Sequence, residues 1–138
     1  PMALDLVEVG FHDHAPADLA DILRAPNPPD AIFCLDHETT LAVYRLLGEI
    51  GVRAGRDVAL ASFDEMEWMR LVTPAITAVR QPVEEMAQSA WALLRRRMGG
   101  DESPALSRRL TCAVTFRGST PRQSASKEAI TCNTGGNP

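Results

Sequence analysis

Asp57-Val58-Ala59-Leu60-Ala61-Ser62-Phe63-Asp64-Glu65 begins the stretch that decides the fold, and Ile76-Thr77-Ala78-Val79-Arg80-Gln81-Pro82-Val83-Glu84-Glu85-Met86 completes it. Val58 to Phe63 is a short apolar run that stops abruptly on two carboxylates, which reads as a sheet strand. Open α/β sheets gather their ligand-binding groups at such carboxyl ends. A second apolar strand, Ile76 to Val79, runs into a helix opened by Pro82. The segment between the strands holds about one helical turn plus loop, short of the dozen or more residues that a comfortable crossover needs. The second strand is therefore expected to leave the sheet of the first.

Working outward, Ala31 to Leu35 is a continuous apolar run, as in a strand covered on both faces. Asp36 follows it and can N-cap a helix from His37 to Ile50. Leu41, Tyr44, Leu47 and Ile50 recur there at helical spacing, Val43 and Leu46 widen the apolar sector, and Gly51 stands at the C′ position with Val52 as its hydrophobic partner. Upstream, Leu4 to Val9 alternates like an edge strand, and Pro16 opens a short helix with Leu19, Ile22 and Leu23 on one face. Ala25-Pro26-Asn27-Pro28-Pro29 is a rigid connector.

Downstream, Val83, Met86, Ala87, Ala90, Trp91, Leu94 and Met98 form one stripe of a helix from Pro82 to Met98. Glu84 and Glu85 complement its positive end, and Arg95 to Arg97 its negative end, which accounts for the arginine cluster without nucleic acid. Arg109 to Phe116 alternates as a half-buried strand. From Gly118 onward Ser, Thr, Gly, Asn and Gln dominate, so residues 118–138 read as a polar tail, extended or flexible, behind a folded unit of residues 1–117.

The order of strands and helices argues an α/β layer fold with a mostly parallel sheet. At 138 residues and 45% apolar content the chain can build a core, although 5% aromatics leave that core to Leu, Val, Ile and Ala. A net charge of −4 argues against a nucleic-acid surface on this piece. Cys34 and Cys112 fall in expected strands, and with Cys132 they make an odd set without CxxC spacing; buried, reduced thiols in a cytoplasmic protein are expected. His12-Asp13-His14 lacks a third ligand, so no metal and no cofactor is expected. No run suits a membrane span, and the start lacks the basic and apolar regions of a signal peptide.

Pro29-Asp30-Ala31-Ile32-Phe33-Cys34, Gly48-Glu49-Ile50-Gly51-Val52-Arg53, Arg56-Asp57-Val58, Ser62-Phe63-Asp64-Glu65 and Thr73-Pro74-Ala75-Ile76-Thr77-Ala78-Val79-Arg80-Gln81-Pro82, in this succession, resemble the LacI/GalR family of bacterial transcription regulators. The resemblance is dense from Pro29 to Met98 and thinner over Leu110 to Ser119. It implies a two-lobed effector domain of periplasmic-binding-protein type that binds a sugar or related metabolite and controls DNA binding allosterically. It covers only the last part of such a domain, so operator DNA would be met only through an N-terminal helix-turn-helix that this chain lacks. The helix from Pro82 would cross to the other lobe and leave its apolar stripe in need of a partner. The alternative is a fragment of a transport-type sugar-binding protein.

The resemblance makes Asp64 the foremost effector ligand, since a carboxylate at a strand end can accept from vicinal sugar hydroxyls. Asp36 is either a second ligand or a helix cap, and it stands where many members carry an amide. Gln81 sits at the lobe crossing, as ligand contact or hinge bond. Trp68 can stack on a sugar ring or pack internally. Leu41, Tyr44, Leu71 and Val72 match the family's C-lobe homodimer face, the last two in a loop. His37 beside Asp36 has no nucleophile to join it, so no enzyme is expected.

Overall fold

A computed structural model describes residues 18–120. The expected strand at Leu4 to Val9, the His12–His14 loop, Pro16, Cys132 and the tail beyond Thr120 lie outside the described residues. Eight elements follow in order: α1 (Leu19–Arg24), β1 (Ala31–Cys34), α2 (His37–Ile50), β2 (Ala59–Phe63), α3 (Trp68–Leu71), β3 (Thr77–Arg80), α4 (Val83–Met98) and β4 (Ala113–Thr115). The sheet has the order β1-β2-β3-β4. β1, β2 and β3 run parallel, and β4 returns antiparallel along β3. A mostly parallel α/β sheet is therefore present.

The second strand of the opening stretch stays in that sheet, against expectation: Ala61 stands beside Thr77 and Phe63 beside Val79. The chain turns back sharply at Asp64, whose φ is 69°, and α3 takes one short turn before β3 begins. The Met69 carbonyl accepts from the Ile76 amide at 2.8 Å, which closes the loop onto the strand. Leu71 thus ends a helix rather than lying in a loop.

The core sits between the sheet and helices α1, α2 and α3, with Leu19, Leu23, Val43, Leu47, Val58, Leu60, Met69, Ile76 and Ala78 all buried. On α2 the innermost positions are Thr40, Ala42, Val43 and Leu47, while Leu41, Tyr44 and Ile50 are half-buried. The reason is polar. Thr40 bonds back to the Asp36 carbonyl (2.6 Å) and shares a 2.7 Å hydrogen bond with Ser62 of β2, so two buried hydroxyls satisfy each other. Gly51 closes α2 in the left-handed conformation (φ 73°), and the Val52 amide returns to the Leu47 carbonyl at 2.9 Å as expected of a Schellman-type end.

β1 is not covered on both faces. Phe33 and Leu35 are exposed, and among the described residues β1 is an edge of the sheet with nothing covering that side of the strand. At the opposite edge β4 is shorter than the expected strand and fully exposed, Cys112 beside it included. Among the described residues only Cys34 is a buried thiol, and burial pushes its pKa up to about 11. α4 has no buried residue at all, so its stripe of Val83, Met86, Trp91, Leu94 and Met98 faces outward.

The end of the described chain is built into the sheet, not appended to it. Ser119 is fully buried and its hydroxyl donates to the Leu60 carbonyl (2.6 Å) while accepting from the Thr77 amide (2.8 Å). Its backbone amide donates to the Ala75 carbonyl at 3.0 Å, and its carbonyl accepts from the Leu60 amide at 2.9 Å. Residues 118–120 therefore belong to the folded body and begin the expected tail inside it. Gly55 makes room for them: it holds φ 77°, and a β-carbon there would strike the Gly118 carbonyl.

Candidate effector site

Three of the residues singled out in the sequence stand at the carboxyl ends of three neighbouring parallel strands: Asp36 after β1, Asp64 after β2 and Gln81 after β3. The strand pattern dictates this. Each apolar run ends where the backbone must leave the sheet, and the residue that follows is free to be polar. Such an edge is where an open α/β sheet offers groups to a ligand.

Asp64 and Gln81 are joined directly, the Gln81 side-chain nitrogen donating to one Asp64 carboxylate oxygen. Both are half-buried. The amide fixes the carboxylate's direction and leaves the second Asp64 oxygen and the Gln81 carbonyl as acceptors. A partner with several hydroxyl groups would suit that pair.

Asp36 is engaged otherwise. Its carboxylate accepts from the Thr39 amide and the Thr39 hydroxyl, each at 2.7 Å, which is the N-cap arrangement. Partial burial pushes its pKa up, but the two Thr39 bonds, the Glu38 amide and nearby His37 outweigh burial and hold it below the usual carboxylate range. The capping alternative is thus realised.

Trp68 takes the packing role at least in part. It is half-buried against the core, with its ring centroid 6.2 Å from that of Tyr44 at 51°. Together with His37, Leu41 and Arg45 it lines a shallow cavity of about 290 Å³ on the outer side of α2 and α3. Tyr44 also reaches the Thr73 carbonyl at 3.2 Å. Leu71 stands out at 78% exposure, while Val72 packs partly on the core. Four of the residues weighed for stacking or dimerisation, Trp68, Leu41, Tyr44 and Leu71, are therefore available on the α2–α3 side.

Glu65 and Arg117 escaped the sequence reading. The Glu65 carboxylate is only 4% exposed and is held by Arg117, at 14% exposure, and by the outer Arg70 at 3.1 Å. Hydrogen bonds from Arg70 and Arg117 hold its pKa below the ordinary carboxylate value despite burial. The only sequence signal was an acid directly after Asp64 and an arginine directly after the last strand. Among the described residues no group of three or more His, Cys, Asp or Glu could hold a metal, and no helix is long and apolar enough to cross a membrane.

Comparisons with known proteins agree with this geometry. The model of the periplasmic binding protein-like domain matches residues 5–120. The HTH-type transcriptional regulator PtxS of Pseudomonas aeruginosa is 36% identical over 103 residues, which make up 74% of this chain and 30% of that regulator. A LacI family transcriptional regulator from Enterococcus faecium, solved with bound ribose, matches with a TM-score of 0.65 and 26% identity over 75% of this chain and 38% of its own. The transcriptional regulator CelR, in complex with cellobiose, matches with a TM-score of 0.66 and 31% identity over 75% of this chain and 32% of its own. This chain thus spans about a third of the length of each. It belongs to the periplasmic binding protein-like domain family, in the form found in LacI-type transcriptional regulators.

Proposed function

We propose that this chain is the effector-sensing and dimerisation portion of a bacterial transcription regulator working in the cytoplasm, with Asp64 and Gln81 as half of a cleft for a sugar or related metabolite. The observation that carries the reading is the Gln81-to-Asp64 hydrogen bond at the carboxyl ends of two adjacent parallel strands. Asp36 contributes by capping α2 at the same edge of the sheet. The ribose- and cellobiose-bound relatives support a sugar as the ligand class. Asp64 binds and does not turn over substrate. Effector binding would favour one arrangement of two lobes, and DNA contact belongs to a helix-turn-helix outside this chain.

The α2–α3 side, where Leu71 is exposed and Leu41, Tyr44 and Val72 are half-buried, suits an isologous contact with a second copy. Sedimentation velocity is expected to show a dimer that Leu71→Glu dissociates; a clean wild-type monomer overturns the assignment. For the effector, one lobe offers half a cleft, so weak contact is expected. Titration of ¹⁵N-labelled protein with D-ribose and with cellobiose should move the Asp64 and Gln81 amide signals at millimolar sugar. Asp64→Asn should abolish that response while leaving the melting temperature within a few degrees. A sugar response that survives Asp64→Asn, or none at all, sinks the effector reading.

A further inference from the structure

We infer that Glu65 and Arg117 are a positioning pair that sets the direction of the Asp64 carboxylate, which places the proposed effector site under the control of the segment that follows β4. The inference rests on reading Asp64 and Gln81 as that site. Asp64 occupies the left-handed region, φ 69°, where a residue with a β-carbon stays only if its surroundings hold it. One restraint is local: the Asp64 carbonyl accepts from the Ser62 hydroxyl at 3.2 Å. The stronger one comes from the next residue. The Glu65 carboxylate is buried and faces Arg117, and the same guanidinium donates to the Ile76 carbonyl at 2.6 Å. The Arg117 amide is tied to the Thr77 hydroxyl at 2.8 Å. Arg117 thus fastens the far side of the Asp64 turn to the start of β3, while Gln81 fastens the Asp64 carboxylate to the end of β3.

Arg70 also meets Glu65, but its side chain is largely in water, so its grip is screened and replaceable. Arg117 is the buried anchor. Withdrawing it would leave the buried carboxylate to the solvent-screened Arg70 alone, an imbalance that proteins relieve by moving the charge outward. Glu65 follows Asp64 directly, so an outward move of its carboxylate bears on the Asp64 turn. Arg117 lies two residues beyond β4, and β4 is itself reached from α4 through residues 99–112. A displacement of α4 and β4 therefore pulls on the guanidinium and, through Glu65, re-aims Asp64 without any contact to ligand. The chain of contacts is contiguous, as such coupling requires.

The Gln81 side-chain amide is the reporter, assigned in ¹⁵N spectra of the full chain by its loss in Gln81→Met. Glu65→Gln and Arg117→Lys keep volume and remove the ion pair's fit. Each is expected to shift the Gln81 side-chain amide and to speed its exchange with water at least tenfold, with the double variant going no further than either single one. Arg70→Gln should produce a clearly smaller change. Backbone amides of Val43 and Leu47, on the buried side of α2, should stay in place, which a general loosening would not allow. Should both variants fail to fold, the wild-type protein still decides the matter: on acidification the Gln81 amide should move in step with the Glu65 carboxyl carbon. A missing sugar response with a responsive Gln81 amide sinks the effector reading alone. A Gln81 amide that is unmoved in the folded variants, or that follows only the Asp64 carboxyl on acidification, overturns the positioning pair.

Discussion

Helix α2, with 14 residues, buries Thr40, Ala42, Val43 and Leu47, whereas α4, with 16, buries none. As sequences they are alike. Each carries an apolar stripe at helical spacing, acids in its first turn and a glycine at its end. What separates them is the surface opposite. α2 starts at the carboxyl end of β1 and lies back over β1 and β2, so its stripe meets Leu60 and Val58. α4 leaves the end of β3, and what returns to it is the loop that follows, which lies near Leu93 and Leu94 and reaches Ser89 through Arg108 without burying any residue of the helix. Periodicity specifies a helix and its inner face; it does not supply the partner for that face.

The contrast breaks most readily at Leu47, which is 1% exposed. Leu47→Ala removes the methyl groups that α2 lays against the sheet and leaves a cavity, at a cost of about 3 kcal/mol. Thermal and urea unfolding will measure it. A loss under about 1 kcal/mol would mean that α2 is no better anchored than α4.

Next in size is the seam at Ser119, which holds together the sheet that α2 packs upon. Ser119→Ala strands the Leu60 carbonyl and the Thr77 amide as buried groups short of a partner. A loss of about 2 kcal/mol is expected from two such bonds. The same substitution at Ser89 on α4, whose hydroxyl only accepts from Arg108 at 3.2 Å in an exposed setting, should leave the unfolding midpoint almost unchanged.

These cases mark what the sequence could and could not convey. Asp36, Asp64 and Gln81 were legible because strand ends are local features, visible as an apolar run meeting a polar residue. The stripe of α4 was legible for the same reason, and its lack of cover was implied by the resemblance to a two-lobed domain, of which the chain matches only the last part. The membership of β3 in the sheet was not, because linker length was weighed without the reversal at Asp64 that shortens the path. Ser119 was hidden by its neighbours, a polar composition that resembles a loose tail, although one buried serine there bonds three groups of β2 and β3 and the Ala75 carbonyl just before β3. The Glu65–Arg117 pair joins residues 52 apart in the chain, and no periodicity links positions at that distance. The exposure of Phe33 and of Cys112 depends on which edges of the sheet stay uncovered, a property of the assembled layer.

A smaller effect probes the start of α2. Asp36→Ala deletes the cap that the Thr39 amide and hydroxyl use, at about 1 kcal/mol. Acid should reproduce part of this loss. Asp36 and Glu65 both have folded-state pKa values below their ordinary 3.8 and 4.5. In the unfolded chain they bind protons first, so the stability they confer is complete above those ordinary values and drains away as pH falls through the folded ones. The groups that face Glu65 are Arg70 and Arg117, which stay charged throughout, with Glu67 near Arg70. Unfolding midpoints should therefore fall between pH 5 and pH 3 in wild type, and the slope should flatten in Asp36→Ala and again in Glu65→Gln.

The smallest effect sits on α4 and sharpens the comparison from the other side. Leu94 is 50% exposed, so replacing it with Gln withdraws little area from any packed neighbour. Leu94→Gln should change stability by less than about 0.5 kcal/mol, against the roughly sixfold larger cost at Leu47. Helix propensity barely distinguishes the two residues, so α4 itself should persist. Hydrogen exchange adds what a midpoint cannot. A helix without buried residues opens without unfolding the core, so the amides of α4 should exchange well before those of α2 in wild type. If α4 and α2 exchange together, a surface outside residues 18–120 covers the stripe in solution. Leu94→Gln would then cost far more than this geometry allows.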